Sequence, residues 1–225
     1  MNVKFNYHLR MKEKILRKYK LFKRAITNNQ YHKWVLSDGD NNLLLNLELD
    51  QDSTFFELGG FDGTYSKQIL NKYSPITYIF EPSKEYYNYL NSSLKGPKVK
   101  IVNKGLSNFN GDLFLVNMGD KSFTTQSFHK NAEKIQVIRL SEYMEENNIK
   151  KIDLLNINVE GAEYEILDDL INSEKIKDIH NLQIQFHKNR KNHKQLRKSL
   201  HKKLTNTHSQ TWKYDYIWEK WEKAI

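Results

Sequence analysis

Cysteine is absent from this 225-residue chain, so disulfides, thiolate metal sites and cysteine nucleophiles are excluded, and the composition fits a reducing compartment. Long apolar runs are missing too. No stretch approaches the ~18 residues of a membrane-crossing helix, and the first residues lack the apolar core of a secretory signal. A dinucleotide fingerprint is the third absence: starting at Gly59, G-x-G-x-x-G needs glycine at 61 and glycine or alanine at 64, where Phe61 and Thr64 stand. The expectation is a soluble, cytoplasmic protein, long enough to bury one sizeable core and carry an appendage.

Acidic residues are scarce in two places. Of a net charge of +9, residues 1–33 supply ten Lys/Arg against one acid, and the remaining basic and acidic residues cancel. A second block, His187 to Lys203, has eight Lys/Arg, three His and no acid. Such blocks attract polyanions, whether nucleic acid, anionic membrane or glycan, or are simply solvated helix faces. Met11, Ile15, Tyr19, Phe22 and Ile26 recur at steps of three and four, which predicts an amphipathic helix over 8–26 with a basic outer face. That helix docks on the main domain or a second subunit, or lies on a membrane surface, where it would place the protein peripherally. The organisation read from this is a basic N-terminal segment, 1–36, and a main domain, 37–225, with an aromatic C-terminal extension.

Past a polar loop at 37–42, strands and helices alternate. Strands are expected near 54–58, 76–80, 98–103, 152–157 and 179–186, and helices near 63–73, 84–94, 140–147 and 162–172. Several strands are apolar without alternation, as when helices cover both faces of a parallel sheet, so the fold class is α/β, doubly wound and mostly parallel. Between the third and fourth parallel strands, 112–116 and 135–138 read as an antiparallel pair. The polar stretch from Asn117 to Lys134 joining them is too long for a turn and reads as a substrate loop or an irregular excursion.

Thr54 to Thr64 reads as apolar strand, acid, glycine-rich turn and helix start, the elements of a nucleotide-binding crevice. Its pattern is E-x-G-x-x-x-G, from Glu57 through Gly59, Gly60, Phe61 and Asp62 to Gly63. This resembles motif I of S-adenosylmethionine-dependent methyltransferases. A carboxylate beside the glycines suits a cationic sulfonium better than an anionic pyrophosphate. Glu81 closes the next strand, 24 positions after Glu57, near the ~20-residue spacing expected of an acid that accepts both ribose hydroxyls. A second constellation, Asp153 to Glu163, runs from a strand through a polar turn into a helix and places Asn158 and Glu160 at the same crevice. Glu163, in the first helical turn, reads as an N-terminal cap.

With that run, the glycine turn, Phe80-Glu81-Pro82 and the segment from Asn103 to Asn108, the chain resembles the FkbM family of methyltransferases over roughly 50–190. The family's D-x-x-K-I-D-V-E-G-A-E-like signature stands here with Asn156 and Asn158 in place of its usual lysine and aspartate. The resemblance implies a Rossmann-like fold, S-adenosylmethionine as methyl donor, and O-methylation, often of a sugar hydroxyl in a glycan or glycosylated metabolite. It puts Pro82, Ser107 and Asn156 beside Glu57, the glycine turn and Glu81 on the cofactor side. The likeness to bacterial surface-polysaccharide methyltransferases extends through Gln183 to His187 and Thr207-His208. An asparagine can orient by hydrogen bonds but takes up no proton.

Methyl transfer from a sulfonium is an in-line displacement, so positioning dominates. A base for the acceptor proton adds typically about 10²- to 10⁴-fold. His187, following the fifth strand, is the first candidate by its ordinary pKa of about 6.5, with Glu160 and His208 as rivals. Glu160 and Asn158 offer too few oxygens for a hard cation, so a divalent ion is possible in principle but no metal site is expected. Trp212, Tyr214, Tyr216, Trp218 and Trp221 offer stacking faces for a sugar ring or else complete the core. Arg190, Lys191 and Lys194 suit an anionic acceptor. The expected partner is a carbohydrate or glycoconjugate. Nucleic acid is disfavoured by the lack of an N-P-P-Y-like motif, but RNA ribose methylation and a non-catalytic binding module on this fold stand as alternatives.

Overall fold

The structure, a computed structural model, describes residues 29–116, 123–125, 130 and 132–224. The amphipathic helix expected over 8–26, and most of the loop expected between 117 and 134, lie outside the described residues. The described residues divide into two compact units, with the boundary between Asn46 and Leu47. In the first, helix α1 (Asn29–Leu36) buries Trp34, whose indole Nε1–H donates to Asp40 Oδ1 at 3.0 Å. No helix among the described residues is long and apolar enough to cross a membrane.

The second unit is built on a seven-stranded sheet. Its strands are β1 (Thr54–Leu58), β2 (Ile76–Phe80), β3 (Val99–Val102), β8 (Ile152–Ile157), β9 (Ile179–Ile184), β10 (His208–Tyr214) and β11 (Trp218–Lys223). The order is β10-β11-β9-β8-β1-β2-β3. All neighbours are parallel except β11, which runs antiparallel to both β9 and β10. The central strands are largely apolar because both faces are covered, with Glu57, Asn156 and Gln183 as buried polar exceptions. Helices α2 (Thr64–Tyr73) and α3 (Lys84–Ser93) connect β1 to β2 and β2 to β3, and Leu90 packs with Ile79 and Leu94 on their face. On the other face α4 (Leu140–Glu146), α5 (Glu163–Asn172) and α6 (His193–Leu204) bury Tyr143, Leu167 and Leu200 with Phe56, Leu155 and Trp221.

Between β3 and β8 lies a second sheet, of order β4-β7-β5-β6, formed by β4 (Gly105–Ser107), β5 (Gly111–Val116), β6 (Phe123–Thr125) and β7 (Ala132–Arg139). The expected pairing of 112–116 with 135–138 is present as the antiparallel β5–β7 ladder. The aromatic extension is the β10–β11 hairpin: Trp221 is 2% exposed inside the main core and offers no face to a sugar.

Candidate active site

The strand order reverses between β1 and β8, and open α/β sheets bind ligands beyond the carboxyl ends of strands at such a switch point. Here the two loops touch. Asn158 donates its N–H to Leu58 O at 3.0 Å, and a Cβ on Gly59 (φ 89°) would stand 2.1 Å from Asn158 O, so only glycine fits. Gly60 and Gly63 are small for another reason, the close passage of Leu90 of α3. Each loop also holds a non-glycine residue in the left-handed region, Phe61 at φ 44° and Glu160 at φ 51°. Such backbone costs on the order of 1 kcal/mol and clusters at functional sites.

On the β1 side, Glu81 just past β2 accepts the N–H of Phe61 at 2.9 Å and of Ser83 at 2.8 Å. Its carboxyl thereby clamps the glycine turn, and burial raises its pKa despite those two donors. Asn103 ties the same corner by donating to Glu81 O and Pro82 O. Phe61 stacks at a tilt on Tyr86 and stays 39% exposed, while Asp62 caps Thr64 N at 2.9 Å. Ser107 is buried in β4, paired with Arg139 of β7.

Glu57 lies beneath the turn. It faces α2, accepts the hydroxyl of Ser66, and is 4% exposed. Burial pushes its pKa up to about 8 against the pull of Ser66, so at neutral pH it is mostly protonated. Among the described residues no cation stands beside Glu57 to hold its charge. Its register neighbour is Asn156, whose amide donates to Gln183 Oε1 at 3.1 Å, and Tyr65 reaches the same oxygen at 2.6 Å. A polar row thus crosses β1, β8 and β9 under α2. Asn156 belongs to this buried row, and Tyr65 and Gln183 are members the sequence reading missed; Gln183 signals itself as a polar residue within an apolar strand.

On the β8 side, Glu163 is fully buried and accepts Gly161 N–H at 2.7 Å and His187 N–H at 2.6 Å. His187 Nε2 lies 3.2 Å from Glu160 Oε1, and Nδ1 lies 3.4 Å from Glu163 Oε1. Asn189 donates to Glu160 O, and Tyr164 donates to His187 O at 2.7 Å. The loop after β9 is thereby fastened over the loop after β8. Burial pulls the His187 pKa down, but Glu160 and Glu163 outweigh it and push it up to about 9. The choice of His187 for its ordinary pKa is corrected accordingly, since at neutral pH it is an imidazolium already holding its proton. Asn158 Oδ1 is buried with no hydrogen-bond partner among the described residues.

His208 is elsewhere. It opens β10, is 1% exposed, and reaches Ile179 O at the start of β9 at 3.0 Å, with Thr207 on its other nitrogen. That is the amino edge of the parallel strands, across the sheet from the crevice, which removes it from catalysis. Among the described residues no group of three or more acidic or histidine side chains is placed to hold a metal ion.

A doubly wound sheet whose penultimate strand in the order is antiparallel, with a glycine turn and acids at the switch point, has the architecture of the class I methyltransferases. The structure resembles an rRNA-methylase from Clostridium thermocellum, provisionally so named, with TM-score 0.52 and 8% identity over 84% of this chain and 96% of that one. It also matches a precorrin-6y C5,15-methyltransferase from Geobacter metallireducens, at 12% identity over 81% and 86% of the chains with TM-score 0.44. A third match is the M. capricolum protein TrmK in complex with S-adenosyl-homocysteine, at 12% identity over 81% and 66% with TM-score 0.44. At such identities the first shows a shared fold and the other two add no weight. No curated protein matches the sequence. Residues 39–214 match the family model described as the methyltransferase FkbM domain, and the chain belongs to the FkbM methyltransferases.

Proposed function

We propose that this methyltransferase uses S-adenosylmethionine to methylate a sugar hydroxyl of a glycan or glycosylated metabolite. The observation that carries this reading is the meeting of the glycine turn, Glu81 and the Asn158–Glu160–His187 group at one switch point. The residues fit the donor. Glu81 has lone pairs left, beyond the two it gives to Phe61 and Ser83, to accept ribose hydroxyls, and Phe61 offers an exposed ring beside them. Asn158 Oδ1 is an acceptor awaiting a donor. When bound, S-adenosylmethionine supplies a methyl group activated by a positively charged sulfur.

The chain's part is to hold the acceptor oxygen in line and to take its proton. Glu160, partly exposed at the crevice, accepts that proton as the new C–O bond forms. His187, cationic and hydrogen-bonded to Glu160, orients the carboxylate, and Glu163 fixes His187. His187 is in this account a positioning residue. The test is incubation with isotopically labelled donor and, in separate reactions, a panel of glycans and a generic RNA, followed by mass spectrometry. One labelled methyl on a sugar hydroxyl is the expected product. Label on RNA ribose in place of any sugar acceptor would contradict the reading.

A further inference from the structure

Of the cations after His187, Lys188 lies over the Tyr216 ring at 4.5 Å, and the other seven fall into two kinds. Arg190 pairs with Glu165 at 2.6 Å, Arg197 with Asp215 at 2.9 Å, and Lys203 with Asp168 at 2.7 Å. The first fastens the loop before α6, and the other two hold α6 to the body of the domain. Lys191, Lys194, Lys198 and Lys202 are exposed and have no ion pair among the described residues. The last three recur every fourth residue, along one line of a 12-residue helix about 18 Å long.

That line is not explained by helix stability. Lysines four apart repel, each pair costing about 0.2–0.5 kcal/mol, and no acid anywhere in α6 relieves them. Its position is informative. The loop leading into α6 is the one whose Asn189 side chain bonds Glu160 O and whose His187 meets Glu160 and Glu163. The stripe therefore starts at the crevice and runs away from it along the surface.

We infer that the lysine stripe of α6 binds an extended acidic glycan and so holds the acceptor chain whose sugar enters the crevice. The exposed positions of this face are Lys191, Lys194, Gln195, Lys198, Ser199 and Lys202. None is aromatic, as stacking of single-stranded bases requires. None is apolar, as insertion into a bilayer surface requires. All the charges are ammonium groups, which attract successive carboxylates or sulfates as point charges without the fork geometry of arginine. A linear polyanion without bases fits all three facts. The inference deepens the proposed function and rests on its glycan acceptor.

The test measures binding of the full chain to polygalacturonate, dextran, poly(U) and phosphatidylglycerol vesicles at low and raised salt. The variants are Lys194→Glu/Lys198→Glu/Lys202→Glu and the milder Lys194→Gln/Lys198→Gln/Lys202→Gln, with circular dichroism confirming the fold. Wild type is expected to prefer polygalacturonate, and the charge-reversed variant to lose at least about tenfold in affinity with a shallower salt dependence. The neutral variant should lie between them, with titration of S-adenosylmethionine unchanged in both. Equal binding of polygalacturonate by wild type and both variants would overturn the assignment, as would tighter binding of poly(U) or vesicles by wild type. Lysine-dependent polygalacturonate binding in a chain that fails to bind S-adenosylmethionine would overturn the enzymatic reading and leave this surface standing.

Discussion

Two buried glutamates, Glu57 under the glycine turn and Glu163 under the loop after β8, solve the same problem in opposite ways. Glu163 is met by two backbone N–H groups and by the His187 imidazole. Glu57 is met by one serine hydroxyl, and the acids nearest to it, Glu81 and Asp62, only make its charge more costly. The first arrangement drives a histidine to hold its proton; the second drives the carboxyl itself to hold one. Burying a carboxyl is tolerable when donors or a proton neutralise it, and which of the two occurs decides what the group can do.

The comparison breaks most sharply at Glu163. Glu163→Ala leaves His187 with Glu160 alone and frees two N–H groups, so urea denaturation should show a loss of about 3–5 kcal/mol. By NMR the His187 imidazole should titrate below the wild-type value of about 9. A variant as stable as wild type would mean that Glu163 is no anchor. Glu160→Gln should keep the fold and lose about 10²- to 10⁴-fold in turnover, the usual size of a lost general base. Retained turnover would remove Glu160 from proton transfer.

The Glu57 half of the contrast has a pH signature. Its folded pKa of about 8 exceeds the ordinary 4.5, so between those values the folded state binds the extra proton. Its contribution to stability is present at low pH and lost as pH rises through 8. Glu57→Gln removes that slope. The variant should match wild type near pH 5 and gain on it by about 4 kcal/mol toward pH 9, read from denaturation midpoints. A constant difference across that range would mean that Glu57 is ionised throughout.

The contrast also marks what the sequence made legible. Strands 54–58, 76–80 and 152–157 stand at their expected bounds because central parallel strands are apolar on both faces. The glycine turn and the Asp153–Glu163 run announced the crevice for the same local reason: each is one strand, one turn and one helix start. The hairpin of β10 and β11 was not legible as strands. In Trp218-Glu219-Lys220-Trp221 the buried Glu219 is compensated by Arg197 and His201 of α6, partners distant in sequence. Nor was the state of His187 or Glu57 readable, because a pKa depends on which side chains meet across β1, β8 and β9. His208 was misplaced because Thr207-His208 carries no sign of which edge of the sheet it joins.

The most direct measurement is calorimetric titration of the purified chain with S-adenosylmethionine and S-adenosylhomocysteine, in wild type and in Glu81→Ala. The account predicts one saturable site in wild type, and affinity weaker by about 10- to 100-fold in the variant, for the loss of charged-group hydrogen bonds, with the fold retained. Absence of saturable heat with either compound in wild type, or identical binding in Glu81→Ala, would contradict it.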